Sequence, residues 1–452
     1  MNRIRSFFQK EEGREEYQPL YESTGGPEPE NSEEDAVPFS WIEYSFFAIL
    51  GVAMLWAWNM FLAAAPYFQL RFETDEWALQ FFQPAITSVS TISNLVSMGI
   101  LTKKQQSASY PFRIKLALCI NVVVFMLLTV SSKTFLDVGT RTYLFFLLTM
   151  VALTAWASGL LQNGSFAFVS SFGRPEYMQA VMAGHGIAGV LPSLVQVVSV
   201  LVAPPPEAGL EAGPGEEDKG SAAFIYFLTA VAVSLAAMVA FVPLVQRHNK
   251  VVENRMIEHM AASMTSLEEA ERAARKVVGM RTLFGKLPWL CSGIFLCFTV
   301  TMFFPVFTPK VLSVTPSGAA NALLKPAVFI PLAFFFWNLG DLLGRSFSLT
   351  VSLRHRPFAL FILSVLRIAF VPMYFLCNLH GSGAVVGSDL FYLLLIQLPF
   401  GLTNGWLASN CMVAAGEWVD ESEREASGGF MGLCMVAGLA FGSLLSFTAA
   451  GV

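Results

Sequence analysis

Residues 221–245 read SAAFIYFLTAVAVSLAAMVAFVPLV, a stretch without one charged side chain. A helix of about 20 apolar residues crosses a bilayer core about 30 Å thick, so this stretch is long enough to span a membrane. Working outward from it between polar breaks gives about eleven such runs. They lie near 42–69, 82–102, 114–132, 142–171, 176–202, 221–245, 287–311, 326–352, 357–379, 388–415 and 425–450. The second is rich in Ser and Thr, the last in Gly. A soluble core cannot absorb that many apolar runs. Composition agrees: 54% of residues are hydrophobic and 13% charged, against about 25% charged in soluble domains. The sequence predicts an all-α, polytopic membrane protein with about 11 transmembrane helices.

The net charge of −5 is distributed unevenly. Residues 1–40 carry Arg3, Arg5, Lys10 and Arg14 against ten acidic residues, with few apolar ones. Such a segment buries too little to offset its ordering entropy, and it reads as a disordered acidic tail. It has no apolar h-region, so a cleaved signal peptide is not expected. Among the connections, one side carries Lys103, Lys104, Arg113, Lys115 and Arg174, eight Lys/Arg between 246 and 286, then Arg354, Arg356 and Arg424. The other side carries Arg71, Lys133, Arg141, Lys219, Lys310 and Lys325. The positive-inside rule makes the first side, and with it the N-terminus, cytoplasmic. After an odd number of spans the C-terminus is outside or lumenal.

Two connections are long. Residues 203–220, APPPEAGLEAGPGEEDKG, suit a flexible external loop. In 246–286, Glu268, Glu269 and Glu271 precede Arg272, Arg275 and Lys276 at helical spacings, as on a cytoplasmic surface helix. This link divides the chain into an N-terminal six-helix bundle, 41–245, and a C-terminal five-helix bundle, 287–452, the plan of rocking transporters. No internal repeat is legible. Cys119, Cys291, Cys297, Cys377, Cys411 and Cys434 all fall in apolar runs and read as small packing residues rather than disulfides or ligands. No basic, aromatic-interleaved surface suggests nucleic-acid binding. No nucleophile–base pair or metal cluster stands out either, so neither an enzyme nor a cofactor is expected.

The eighth span holds the most informative residues, Trp337-Asn338-Leu-Gly340-Asp341-Leu-Leu-Gly344-Arg345. At 100° per residue, Asn338, Asp341 and Arg345 share one face within about 60°. Gly340 and Gly344 form a small-xxx-small strip on another face, where a second helix can approach. A mid-span Asp or Arg costs several kcal/mol unless paired or hydrated. The pair therefore either locks two bundles together or lines an internal polar cavity.

Asp341-Leu-Leu-Gly344-Arg345 resembles a hallmark of the equilibrative nucleoside transporter family, of which the chain looks like a fungal-like member. Other stretches agree in order. Trp58-Asn59 in the first span is similar to the family's Pro-Trp-Asn motif, with Ala57 where proline is usual. Gly159-Leu-Leu-Gln162-Asn163-Gly164-Ser165 looks like its glutamine-bearing segment. Tyr177 through Gly189 resembles its fifth span, with His185 where Gln is more frequent. Arg367-Ile-Ala-Phe-Val-Pro372, Thr403-Asn404-Gly405 with Ser409, and the Gly-rich last span also match. The resemblance covers roughly 41–450. It implies a major-facilitator-like 6+5 arrangement lacking one terminal span, and facilitative nucleoside transport by alternating access.

By the same resemblance, Trp58, Gln162, Asn338, Asp341 and Arg345 match substrate-cavity positions. Each has the chemistry for it. An indole stacks on a flat base, an amide pairs with its edge, and a carboxylate with a guanidinium meets ribose hydroxyls. His185 is open between packing and pH sensing, and Arg367 between a gate and an anchor that snorkels to the cytoplasmic edge. Glu417, Asp420, Glu421, Glu423 and Arg424 form either a solvated loop or gate contacts. Gly428, Gly432, Gly438 and Gly442 read as packing strips. The expected partners are nucleosides as cargo and the lipid bilayer, with the chain a monomer. Other readings stay open: cargo of nucleobases, sugars or other ribosides, proton coupling, or a non-transporting receptor. Tyr17-Gln-Pro-Leu20 reads as an endolysosomal sorting signal, favouring a vacuolar or endolysosomal membrane over the plasma membrane. The sequon at Asn163 falls inside a span and is unusable.

Overall fold

The computed structural model describes residues 39–104, 109–134, 137–202, 215–262, 278–315 and 322–448. Eleven helices in it are long and apolar enough to cross a membrane: α1 Trp41–Arg71, α2 Glu76–Lys103, α3 Tyr110–Thr134, α4 Thr140–Ser170, α5 Pro175–Leu201, α6 Gly220–Lys250, α7 Pro288–Lys310, α8 Pro326–Phe347, α9 Pro357–Leu376, α10 Phe391–Glu417 and α11 Glu421–Ser446. Among the described residues the β-structure is one isolated bridge, Val311 to Leu379. The acidic tail, Tyr17–Leu20, most of 203–220 and the charged Glu268–Lys276 segment lie outside the described residues.

Local chemistry explains the helix ends and breaks. Asp75 caps α2, its Oδ1 accepting from Trp77 N at 3.1 Å and Ala78 N at 3.2 Å. Those backbone bonds, with Arg141 at 3.0 Å, hold the Asp75 carboxyl below its usual range. Pro288, Pro326 and Pro357 open α7, α8 and α9, at the position where a missing N–H costs nothing. The α10 span starts as a π-helix, Phe391–Gln397, just before Pro399. Proline removes a donor and crowds the preceding turn, and the wider winding accommodates both. At α6 the structure differs from the expected break near 246, because the helix runs on through the polar residues to Ala262. Residues 246–262 contain no Gly or Pro to stop it.

The apolar cores show how the bundles meet. One cluster serves both bundles at the basic end. It joins Phe47, Phe166 and Tyr177 of the first six helices to Leu290, Cys411 and Met431 of the last five. Toward the opposite end the core splits. Phe61, Phe125, Tyr143 and Phe227 form a cluster confined to α1–α6. Phe304, Phe329, Tyr374 and Phe400 form another confined to the last five helices. The helix crossings between bundles follow this division. A Cβ on Gly428 of α11 would fall 2.5 Å from Phe166 O of α4, and one on Gly186 of α5 would fall 2.9 Å from Leu342 Cα of α8. Gly438 and Gly442, nearer the other end of α11, are instead pressed on Phe295 and Thr299 of α7 in the same bundle. All four positions need glycine because another helix occupies the place of the side chain.

The acidic cluster after α10 staples the basic end of the second bundle. Arg354 bonds Glu417 at 2.7 Å, and Lys286 bonds Glu423 at 2.5 Å and Asp420 at 3.1 Å. Glu423, then Asp420, hold the Lys286 ammonium above its usual range. Arg424 reaches the α4–α5 turn, where a Cβ on Gly173 would lie 2.7 Å from its Nη1. Gly173 has φ of 66°, a conformation that suits glycine.

Candidate functional site

The α8 pair lies in the C-terminal third of the helix, with Arg345 in its last turn, where the split cores give way to the shared one. Two glycine pairs lock α8 against α10. Gly340 and Gly344 receive Leu398 O and Leu402 O, while Gly401 and Gly405 receive Trp337 O and Asp341 O, all within 2.2 Å of where a Cβ would stand. The strip anticipated on α8 is thus met by a matching strip on α10, so the two backbones touch. That approach brings Asn404 onto Asp341.

Asp341 and Arg345 are both buried, 5% and 6% exposed. Arg345 Nε donates to Asp341 Oδ2 at 2.7 Å and Nη2 to Oδ1 at 3.4 Å. Asn404 Nδ2 donates to Asp341 Oδ1 at 2.7 Å. Each carboxylate oxygen therefore has a strong donor and retains lone-pair capacity for a further one. Across the seam between bundles, Arg345 Nη1 points to Met182 Sδ of α5 at 3.8 Å. Asn338 shares the helix face but not the network: its Nδ2 bonds back to Phe334 O at 2.9 Å. Its Oδ1 faces α5, 2.5 Å from the place of a Gly189 Cβ.

The remaining sequence-derived residues come from the first bundle. His185 sits in the seam, buried, edge-on to Phe166 with ring centroids 5.9 Å apart, and its Nε2 has no partner. Gln162 lies one turn before Phe166 on α4. It is buried and its Oε1 accepts no hydrogen bond. It is one of several buried polar atoms without a partner among the described residues, and as an amide oxygen it can accept from a donor. Trp58 is half-buried against the first bundle's aromatic cluster, and its neighbour Asn59 ties α1 to α5 through Ala188 O at 2.7 Å.

Arg367 reaches neither the seam nor a helix end. It is 1% exposed and bonded inside the second bundle. Nη1 donates to Cys297 O at 2.6 Å and Cys297 Sγ at 2.8 Å, Nη2 to Thr301 Oγ1 and Phe400 O at 3.2 Å, and Nε to Thr403 Oγ1 at 3.2 Å. The guanidinium also covers the Phe400 ring at 4.9 Å. These bonds occupy the guanidinium fully, so it cannot snorkel.

Three residues join the site without having been singled out for it in the sequence. Asn404 stands in a recognised motif but gave no sign of its bond to Asp341. Thr301 is hidden in an apolar run. Asn94 on the Ser/Thr-rich α2 has a buried Oδ1 without a partner, beside Gly159 and so one turn from Gln162. A mid-span amide is the signal that could have found the two asparagines. Among the described residues no cluster of His, Cys, Asp and Glu could hold a metal ion.

Known proteins share both the chain and the fold. The family described as "Nucleoside transporter" matches residues 148–450. The nucleoside transporter FUN26 of Saccharomyces cerevisiae is 29% identical, over 90% of this chain and 83% of its own length. Human equilibrative nucleoside transporter 1 is 24% identical, over 89% and 95%. Among solved structures, the Escherichia coli fucose:proton symporter FucP superposes with a TM-score of 0.55 at 12% identity, over 91% of this chain and 93% of that one. The human organic anion transporter MFSD10 gives 0.51 at 14% identity, over 89% and 92%. These likenesses establish a major-facilitator-like arrangement of six plus five helices, and by the extent of the family match the chain belongs to the nucleoside transporter family.

Proposed function

We propose that this protein carries nucleosides across a membrane by facilitated diffusion, its two bundles rocking about a central site. The observation that carries the reading is the Asp341–Arg345 pair with Asn404, buried within the α8 span at the seam the bundles share. Ionisable groups at that depth are expensive and mark cargo pathways. The core that is common at the basic end and divided at the other is what one state of an alternating-access carrier requires. Family membership supports nucleosides as the cargo.

In this reading Asp341 and Arg345 bind the ribose hydroxyls, Gln162 takes the base edge, Trp58 stacks on the base, and Asn338 contributes from the same α8 face. The α8 pair is self-neutralising, so moving the empty site between the two faces carries no net charge on it, as a carrier without a coupling ion needs. The basic end and the N-terminus are cytoplasmic, the membrane is vacuolar or endolysosomal rather than the plasma membrane, and the working unit is the monomer. Uptake of labelled uridine and adenosine into proteoliposomes, at two pH values and against nucleobases and sugars as competitors, tests this. Saturable uptake that stops at equal concentrations and yields to nucleosides alone is expected. Accumulation driven by an imposed proton gradient, stronger competition by sugars, or binding without flux would refute it.

A further inference from the structure

Asp341 is approached from two sides, and the second approach runs through four helices. Arg367 of α9 donates Nη2 to Thr301 Oγ1 of α7 at 3.2 Å. The Thr301 hydroxyl has one proton and two acceptors in reach, Asn404 Oδ1 at 2.7 Å and Cys297 O at 2.8 Å. Cys297 O already receives Arg367 Nη1 at 2.6 Å, and Cys297 Sγ lies a further 3.4 Å from Asn404 Oδ1. The Thr301 proton goes to the nearer acceptor, Asn404 Oδ1, which the Cys297 thiol also approaches as a donor. An asparagine amide whose oxygen is occupied this way must turn its Nδ2 outward, and here it meets Asp341 Oδ1 at 2.7 Å. Flipping the amide would set its oxygen against Asp341 Oδ1 and lose that bond, and it would take from the Thr301 proton its nearer acceptor. Every donor in the chain Arg367–Thr301–Asn404 thus points toward Asp341, and polarised chains of this kind strengthen one another in a low-dielectric interior.

We propose that Arg367 is a positioning residue for the cargo-binding carboxylate, acting through Thr301 and Asn404 to fix how Asp341 presents its oxygens. The inference rests on the reading above that Asp341 binds ribose hydroxyls. Arg367 itself stays enclosed in the second bundle and never meets the cargo. Its part is to hold the Thr301 hydroxyl and, through it, to reinforce the amide orientation that Asp341 requires.

The test uses Thr301, because valine there keeps the shape and removes the relay while serine retains the hydroxyl. KM and Vmax for uridine and for 2′,3′-dideoxyuridine are measured in proteoliposomes, normalised to folded carrier by gel filtration. Thr301→Val should raise KM for uridine by about five- to tenfold, the scale of one hydrogen bond, and for the dideoxy analogue by less than about twofold. Thr301→Ser should restore uridine, and Thr301→Val should add nothing in the Asp341→Asn, Arg345→Gln double background. If the valine variant yields no folded carrier, Thr301→Ala against Thr301→Ser gives the same comparison. Equal loss for both substrates, a silent valine variant, or no rescue by serine would overturn the relay. A wild type that does not distinguish uridine from its dideoxy analogue would overturn the ribose reading as well.

Discussion

Replacing Arg345 by Gln leaves the Asp341 carboxylate 5% exposed, with Asn404 as its remaining strong donor. Replacing Asp341 by Asn leaves the Arg345 guanidinium facing a neutral amide and the Met182 sulfur at 3.8 Å. Breaking a buried pair in this way costs about 3–5 kcal/mol, or about 10²- to 10⁴-fold in the folded population at 1.4 kcal/mol per tenfold. Both single variants should therefore lose thermal stability strongly in detergent, read by fluorescence-detected gel filtration after heating. The double variant, Asp341→Asn with Arg345→Gln, has no unmatched charge and should recover most of that stability.

Transport separates a structural pair from a cargo-binding one. Hydrogen bonds from charged groups contribute about 1.5–3 kcal/mol against about 1 for neutral ones. The double variant should then bind ribonucleosides about 3- to 30-fold more weakly, on the same conversion. Analogues without the 2′ and 3′ hydroxyls should be poor substrates of the wild type and lose little further in the double variant. A well-folded double variant with wild-type uptake and undiminished preference for ribose would refute the assignment, and the pair would then be a lock for the fold alone.

Other outcomes follow from neighbouring geometry. Gln162→Ala removes an unpaired buried acceptor, so competition assays should show altered ranking of the bases at normal expression; equal loss for all nucleosides would make Gln162 structural. Gly428→Ala sets a methyl against Phe166 O in the closed end and should cost that state about 1–3 kcal/mol. Cysteines placed at the basic end should then label faster than in the wild type, and unchanged labelling would show that this crossing does not separate. The Asp75 cap has a depressed carboxyl pKa, so its stabilisation is complete above the ordinary carboxylate range and fades as pH falls through the depressed value; Asp75→Asn should flatten the acid limb of a melting-temperature profile.

The membrane class and the eleven spans were legible because hydropathy is a property of consecutive residues. The α8 face was legible for a related reason, since positions four apart on one helix are neighbours whatever else the chain does. Asn404 lies 63 residues from Asp341 in sequence, and their bond exists because Gly340, Gly344, Gly401 and Gly405 let two backbones touch. The glycine strip on α8 announced that some helix would approach but not which one. Arg367 illustrates the same limit in the opposite sense. A lone mid-span Arg read by itself suggests a gate or a snorkelling anchor, because its acceptors are carbonyls and hydroxyls of α7 and α10 that no local pattern reveals. The division between shared and separate cores depends on how whole bundles lean, so it belongs to one state of the molecule. Residues whose role is fixed within one helix could thus be read from the chain, and those acting between helices, Thr301 and Asn404 above all, had to be read from the fold. Those between-helix residues are also the ones able to tie cargo binding on α8 to movement of α7, α9 and α10 as a body.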